Sequence, residues 1–412
     1  MRILFLTQIV PYPPDAGPKV KTWHVIRALA DFGHKITLVT YTRAEEEEHL
    51  PVLREICEEV YPVRLARSRP ADLLFWLKSQ LSGRPFLIER DDRREMRDII
   101  TKLLEEKQFD AIHADQLTMT QFAISPERSN GGDTPQNGVW PETVFDAHNA
   151  VWTIVSRLSE NANPIMKPVL SLERNRIRRF EGRVVCDFDH TLAVIEPDRT
   201  ALLEAAAGWQ PLEPPSIEVI PIAVDTDELA PVIRRSGSLN ILTLGTLHYP
   251  PNADGIRWFL NSVFPLIRER ISDATLTIVG RNPPGDFLQA AATQPGVVEV
   301  TGFVPELTPL FERAGVVVIP VRAGGGMRVR ILEAFSRAMP VVTTSIGIEG
   351  IEAEDNREVV IADTAEDFSD AVCRLLTDFE AQEELGRNGR ELAVSRYDWK
   401  VVLEGLKSIY PP

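Results

Sequence analysis

The densest chemistry in this sequence lies in one run, Pro320-Val321-Arg322-Ala323-Gly324-Gly325-Gly326-Met327-Arg328-Val329-Arg330-Ile331-Leu332-Glu333-Ala334-Phe335. An apolar strand pattern leads into three glycines and then into a helical pattern. Glycines let backbone come close to a ligand, and the N–H groups at a helix start attract an anion. Arg328 and Arg330 are expected in the first turn of that helix, where the macrodipole disfavours cations unless an anion such as a diphosphate offsets them. Glu333 only accepts hydrogen bonds when ionised, which suits a bidentate grip on two sugar hydroxyls. The plain alternative is a tight turn with solvated arginines and a surface glutamate.

Parallel sheets with helices on both faces must position these residues, because short β-rich runs alternate with helical patterns throughout. In the first half the expected strands are 2–6, 35–41, 60–65, 111–113, 143–145 and 190–195. Trp23, Ile26 and Ala30, with Val25 and Leu29 beside them, predict an amphipathic helix after Gly17. A second series, 240–244, 275–279, 297–300, 316–319, 341–343 and 359–361, follows Glu213-Pro214-Pro215. The fold class is α/β, with two tandem doubly wound domains facing across a cleft and a hinge near 216–227. Such sheets bind ligands beyond the carboxyl ends of their strands. Neither half has GxGxxG after its first strand, so a dinucleotide oxidoreductase is poorly supported.

Composition narrows the classes further. The 412 residues suit two domains, and 44% hydrophobic with 25% charged residues is ordinary for a folded chain. A net charge of -15 argues against nucleic acid as a bulk electrostatic partner. Cys57, Cys186 and Cys373 are far apart without CxxC spacing, which points away from a disulfide framework and toward a reducing compartment. No apolar run approaches a membrane span, so a cytoplasmic location with at most peripheral membrane contact is expected.

Other segments carry weaker signals. His148, in Asp146-Ala147-His148-Asn149, follows an expected buried strand and should project from its end, whereas His113 should pack within its strand. Asp187-Phe188-Asp189 invites a DxD metal reading, but no further ligand clusters around it at suitable spacing, so no metal is assigned. Arg174, Arg176, Arg178, Arg179 and Arg183 could dock on anionic lipid, and are read instead as a face balanced by Glu173 and Glu181. Leu73-Leu74-Phe75-Trp76-Leu77 is read as core rather than membrane anchor. Residues 45–48 read as a solvated helix start, and 127–141 as a surface loop without chemistry.

The sequence resembles the GT-B glycosyltransferases, in particular the large retaining family with an E-x7-E motif (glycosyltransferase family 4-like). The likeness rests on Pro11-Tyr12-Pro13-Pro14 with Gly17, Gly33-His34, Val219-Ile220-Pro221 with Val224-Asp225, Gly302-Phe303-Val304, and Leu332-Glu333-Ala334 through Pro340-Val341-Val342. It is most similar to the sugar transferases of exopolysaccharide clusters. The resemblance implies an acceptor-side domain at 1–215, a donor-binding domain at 216–394 and a final helix at 395–412 crossing back. It implies a nucleotide-diphosphate sugar as substrate without further cofactor, and a glycan, lipid-linked or small-molecule acceptor. Glu333 would hold the nucleotide ribose, with donor contacts from Gly17, Gly245, Arg281, Val304 and Gly324 to Gly326.

Three departures from the family pattern shape the expected site. Gly325 stands where the first glutamate of E-x7-E would fall, so backbone N–H groups must substitute for it. The usual Arg and Lys are missing from 245–252, which leaves diphosphate to Arg328 and Arg330. The family's D-x-x-H-x-H reads Asp110-Ala111-Ile112-His113-Ala114-Asp115, with Asp115 in place of the second histidine. His148, Asp115 and Arg328 are the expected catalytic set. Two alternatives stay open: a non-hydrolysing nucleotide-sugar epimerase, and an inert sugar-nucleotide-binding partner of an active transferase.

Overall fold

The computed structural model describes residues 1–124, 140–160, 162–210 and 214–411; most of the loop expected at 127–141 lies outside them. The chain forms two compact units, the first comprising residues 1–221 together with the segment from Leu403, the second Ile222–Val402. Unit 1 contains seven parallel strands: β1 (Arg2–Thr7), β2 (Lys35–Thr42), β3 (Glu59–Arg64), β4 (Ala111–Asp115), β5 (Glu142–Ala147), β6 (His190–Ala193) and β7 (Ile217–Val219), in the order β3-β2-β1-β4-β5-β6-β7. Unit 2 contains six: β8 (Asn240–Leu244), β9 (Thr275–Val279), β10 (Val298–Gly302), β11 (Val316–Ile319), β12 (Val341–Thr343) and β13 (Val360–Ile361), in the order β10-β9-β8-β11-β12-β13.

The central strands bury both faces, which is why runs such as Val316-Val317-Val318-Ile319 are apolar without alternation. Each unit packs its own core, one around Leu4, Ile112 and Phe145, the other around Ile241, Ile278 and Val318. The three cysteines are unpaired.

Four details differ from the sequence reading. First, β7 pairs with β6, so the first unit runs through 221 rather than 215. Second, 395–402 belong to unit 2, because Asp398 accepts from the Thr226 hydroxyl at 2.6 Å and the Thr226 amide at 3.1 Å; only the segment from Leu403 lies in unit 1. Third, the Gly17–Asp31 helix is buried continuously from Val20 to Ile26 rather than on one face, since its polar Lys21 and Thr22 have partners inside. Fourth, Leu73, Leu74, Trp76 and Leu77 are exposed, and Ser79 is the buried residue of the Arg69–Ser82 helix.

The glycine-rich run is held from behind by a close backbone approach. Gly255, in the Pro250–Trp258 helix, lies so near Pro320 that a Cβ would overlap the Pro320 carbonyl oxygen. Helix propensity alone makes Gly→Ala favourable by about 1 kcal/mol. The overlap reverses that sign: Gly255→Ala should lower the unfolding free energy by on the order of 2 kcal/mol in urea titrations. A midpoint at or above wild type would show that this packing is loose.

Candidate functional site

In both sheets the strand order reverses between the first strand and its inner neighbour, β1 beside β4 and β8 beside β11. Ligands of doubly wound sheets bind outside the carboxyl ends at that reversal. In unit 1 the pairing register places Thr7 opposite Asp115 and Asp115 opposite Asp146, one row across three strand ends. All three are fully buried, and two carboxylates side by side cost energy unless cations or donors meet them.

Donors converge on the row. Thr7 donates to Asp115 Oδ2 at 2.7 Å, Thr22 donates to both Asp115 oxygens at 3.1 and 3.0 Å, and His148 Nε2 lies 2.8 Å from Asp115 Oδ1. Lys21 pairs with Asp146 Oδ1. Burial pushes the Asp146 carboxyl up, but Lys21 and the neighbouring imidazoles outweigh it and hold the group below the ordinary carboxylate range. His113 stacks on Phe5 with ring centroids 4.2 Å apart, and its Nδ1 lies 2.7 Å from the Tyr410 hydroxyl. Burial raises the Tyr410 phenol well above its usual range, so it stays a neutral donor. His113 Nε2 faces Asp146 Oδ2 3.6 Å away.

The donor atoms of His113, Asp115 and Asp146 lie within 4.8 Å of one another, a spacing that could hold a metal ion. The ammonium of Lys21 already occupies Asp146, so the chain supplies its own cation there. Asp189 instead accepts from the Thr143 amide and hydroxyl at 2.9 and 2.8 Å, and Asp187 pairs with Arg183 at 3.1 Å.

His148 sits just beyond β5 and is nearly buried. His148 Nδ1 has no hydrogen-bond partner among the described residues. The sequence reading placed His148 and Asp115 in one expected catalytic set but foresaw no bond between them; the structure joins them. It missed Lys21, Asp146, Thr7, Thr22 and Tyr410. Nothing in the sequence singled out Lys21, since Lys19 and Arg27 lie in the same helical stretch.

In unit 2, Gly324 and Gly326 have φ of 108° and 80°, left-handed values that favour glycine. The following helix is Val329–Ser336, so Arg328 is its N-cap and Arg330 its second residue, rather than both lying in the first turn. The arginines are also paired within the chain, which corrects the reasoning that only an external anion offsets them. Arg328 Nη1 donates to the Gly325 and Gly326 carbonyls at 2.7 and 2.5 Å, and Arg330 Nη1 to Glu333 Oε2 at 2.6 Å. Glu333 is nearly buried, not a surface glutamate.

The remaining expected contacts are dispersed over strand ends. Gly245 follows β8 against the Asn252 side chain, and exposed Arg281, after β9, stacks 4.0 Å over Phe303, next to half-buried Val304. Gly17 is the first residue of its helix. Beyond the ends of β1 to β3, a cavity of about 310 Å³ is lined by Gln8, Lys19, Arg43, Glu46, Arg67 and Arg90, among others.

Residues 238–378 match the family described as glycosyl transferases group 1. The second unit is a glycosyl transferases group 1 domain. An uncharacterized 44.6 kDa protein in the cps region of Klebsiella pneumoniae is 23% identical, over 98% of each chain. A GDP-mannose-dependent alpha-(1-6)-phosphatidylinositol monomannoside mannosyltransferase of Mycobacterium tuberculosis is 28% identical over 45% of this chain, which spans about half of that relative's length (53%). Sucrose-phosphate synthase from Thermosynechococcus elongatus superposes with a TM-score of 0.70 at 16% identity, covering 100% of this chain and 98% of that one. The protein is thus a glycosyltransferase with the GT-B fold.

In this glycosyltransferase the loop carrying His148 is anchored by two more buried carboxylates. Glu181 accepts from the Val151 and Trp152 amides at 2.7 and 2.9 Å, and Asp198 from the Ala150 amide at 3.0 Å, meeting the open N–H groups of the Val151–Glu160 helix. Complete burial pushes the Glu181 carboxyl up to about 8, with Asp198 adding to the rise and the two amides opposing it. Because the folded value exceeds the unfolded one, this group's contribution is full below the ordinary carboxylate range and is lost as pH rises to about 8. Glu181→Gln should therefore flatten the decline in unfolding free energy between that range and pH 8, read from urea midpoints. An unchanged slope would mean that Glu181 is ionised in the folded protein.

Proposed function

We propose that this glycosyltransferase moves a sugar from a nucleotide-diphosphate donor to an acceptor hydroxyl with retention, in envelope or exopolysaccharide synthesis. The observation that carries the reading is the Arg330–Glu333 pair at the start of the helix that follows the left-handed glycines. Arg330 donates to Glu333, whose second carboxylate oxygen would suit a ribose hydroxyl, and its planar guanidinium suits phosphate oxygens. Arg328 holds the carbonyls of Gly325 and Gly326, which fixes the loop that would face the diphosphate. The relative from a cps region supports the glycan setting, and the GDP-mannose-dependent relative supports a nucleotide-sugar donor.

In the proposed reaction the bond between the anomeric carbon and the diphosphate oxygen breaks and a new bond forms to the acceptor oxygen on the same face. The acceptor proton passes to the departing diphosphate. Negative charge grows on that leaving group, so the arginines act chiefly in the transition state and need no metal ion in this scheme. His148, oriented by Asp115, meets a substrate hydroxyl at Nδ1. Gly325 in place of a carboxylate favours a second reading, an inert sugar-nucleotide binder, which would bind donor without turnover.

Turnover of a panel of nucleotide sugars separates these readings, with the product anomer assigned by NMR. Arg330→Ala should cut kcat by about 10- to 1000-fold, and Glu333→Gln should mainly raise the donor KM, because a ribose grip is made equally in ground and transition states. Donor binding without transfer or hydrolysis would assign the inert role. Unchanged kinetics in both variants would remove the phosphate and ribose assignments.

A further inference from the structure

The Arg69–Ser82 helix of unit 1 is inverted relative to an ordinary surface helix. Leu73, Leu74, Leu77 and Leu81 fall within roughly a 100° arc at 100° per residue, and all four face solvent, with Leu74 67% and Leu81 91% exposed. Its inner side carries Ala71, Phe75 and Ser79; Ser79 donates to the Arg84 carbonyl at 2.7 Å and Phe75 lies under Arg93. A helix that buries serine and exposes leucine is not paying for core packing, and an exposed apolar stripe of this length marks an interaction surface.

The neighbouring Lys167–Asp187 helix meets this helix on its inner side. Arg176 reaches buried Ser79 at 3.3 Å, and Glu173 accepts from the amide of Phe86, the first residue of the following Phe86–Asp91 helix, at 2.6 Å. Val169 and Leu172 are exposed there, with Ile165 and Met166 just before them. That helix carries six cationic residues against three acidic ones, in a chain whose net charge is -15. Glu181 is turned inward onto backbone amides, so it does not balance the arginines at the surface as the sequence suggested. Exposed Trp76, amphipathic at its indole N–H, sits on the flank of the leucine stripe.

We propose that this face docks unit 1 on an anionic lipid bilayer, the leucines entering the headgroup boundary and the arginines meeting lipid phosphates. Charge decides against a second copy of the chain, since a self-complementary contact would set one cationic helix against another. The proposal is independent of the donor assignment above.

Co-sedimentation of the full chain with phosphatidylcholine vesicles, with and without phosphatidylglycerol, tests it. Binding should require phosphatidylglycerol and weaken with salt. The triple variant Leu74→Ser, Leu77→Ser, Leu81→Ser should lose binding at least about tenfold, with melting temperature and sugar turnover on a soluble acceptor unchanged. Arg179→Gln should weaken it about fivefold. No binding to either vesicle, equal binding to both, or retained binding by the triple variant would overturn the proposal. So would a wild-type dimer that the triple variant converts to monomer, which would assign the face to a second copy.

Discussion

Two carboxylates near the ends of adjacent strands, Asp115 on β4 and Asp146 on β5, are in register and fully buried, and much of unit 1 is organised around meeting their charge. Neither could be left unpaired, because a buried ion without partners costs several kcal/mol, roughly the margin by which a domain is stable. Lys21 answers one and His148 with two threonines the other. These partners come from β1, the Gly17–Asp31 helix and the loop after β5, so the charge requirement fixes how three elements converge where the strand order reverses. A hydrophobic row would pack there with less penalty. Retaining the charges orients His148 with one ring nitrogen committed and the other open.

Unit 2 solves a related problem with less burial. Cations at a helix start oppose the macrodipole, yet Arg328 and Arg330 stand there. The chain offsets each locally: Arg328 with two carbonyls from the preceding loop, Arg330 with a carboxylate one turn on. The result is a pre-positioned cationic edge beside glycines whose left-handed backbone brings the main chain to the same edge. Such an edge costs little reorganisation when charge develops against it.

The sheets were legible because buried parallel strands write themselves as short apolar runs, and twelve of thirteen were anticipated within a few residues. The exception, β7, has three residues and one buried side chain, too little pattern to register. The glycine-arginine-glutamate run was legible as a cluster because its members are local in sequence. The Asp115–His148 contact was not, since it joins residues 33 apart on different elements. The Arg69–Ser82 helix misled for a different reason: leucine-rich helices normally face inward, and only tertiary structure shows which side is turned out.

The unit 1 network also depends on a segment that arrives late. The chain leaves unit 1 at Pro221 and returns at Leu403, and Tyr410, 297 residues beyond His113, supplies that ring's hydroxyl partner. Without it, His113 Nδ1 would lie buried with no hydroxyl partner. His34, at the start of β2, packs its ring 6.2 Å from the same tyrosine, so one side chain closes contacts on two strands' neighbourhoods. Contacts of such sequence separation form late, because the loop entropy must be met before they return anything. The first unit therefore reaches its final buried electrostatics only after the second has been synthesised, and the two units, though each has its own core, mature as one chain.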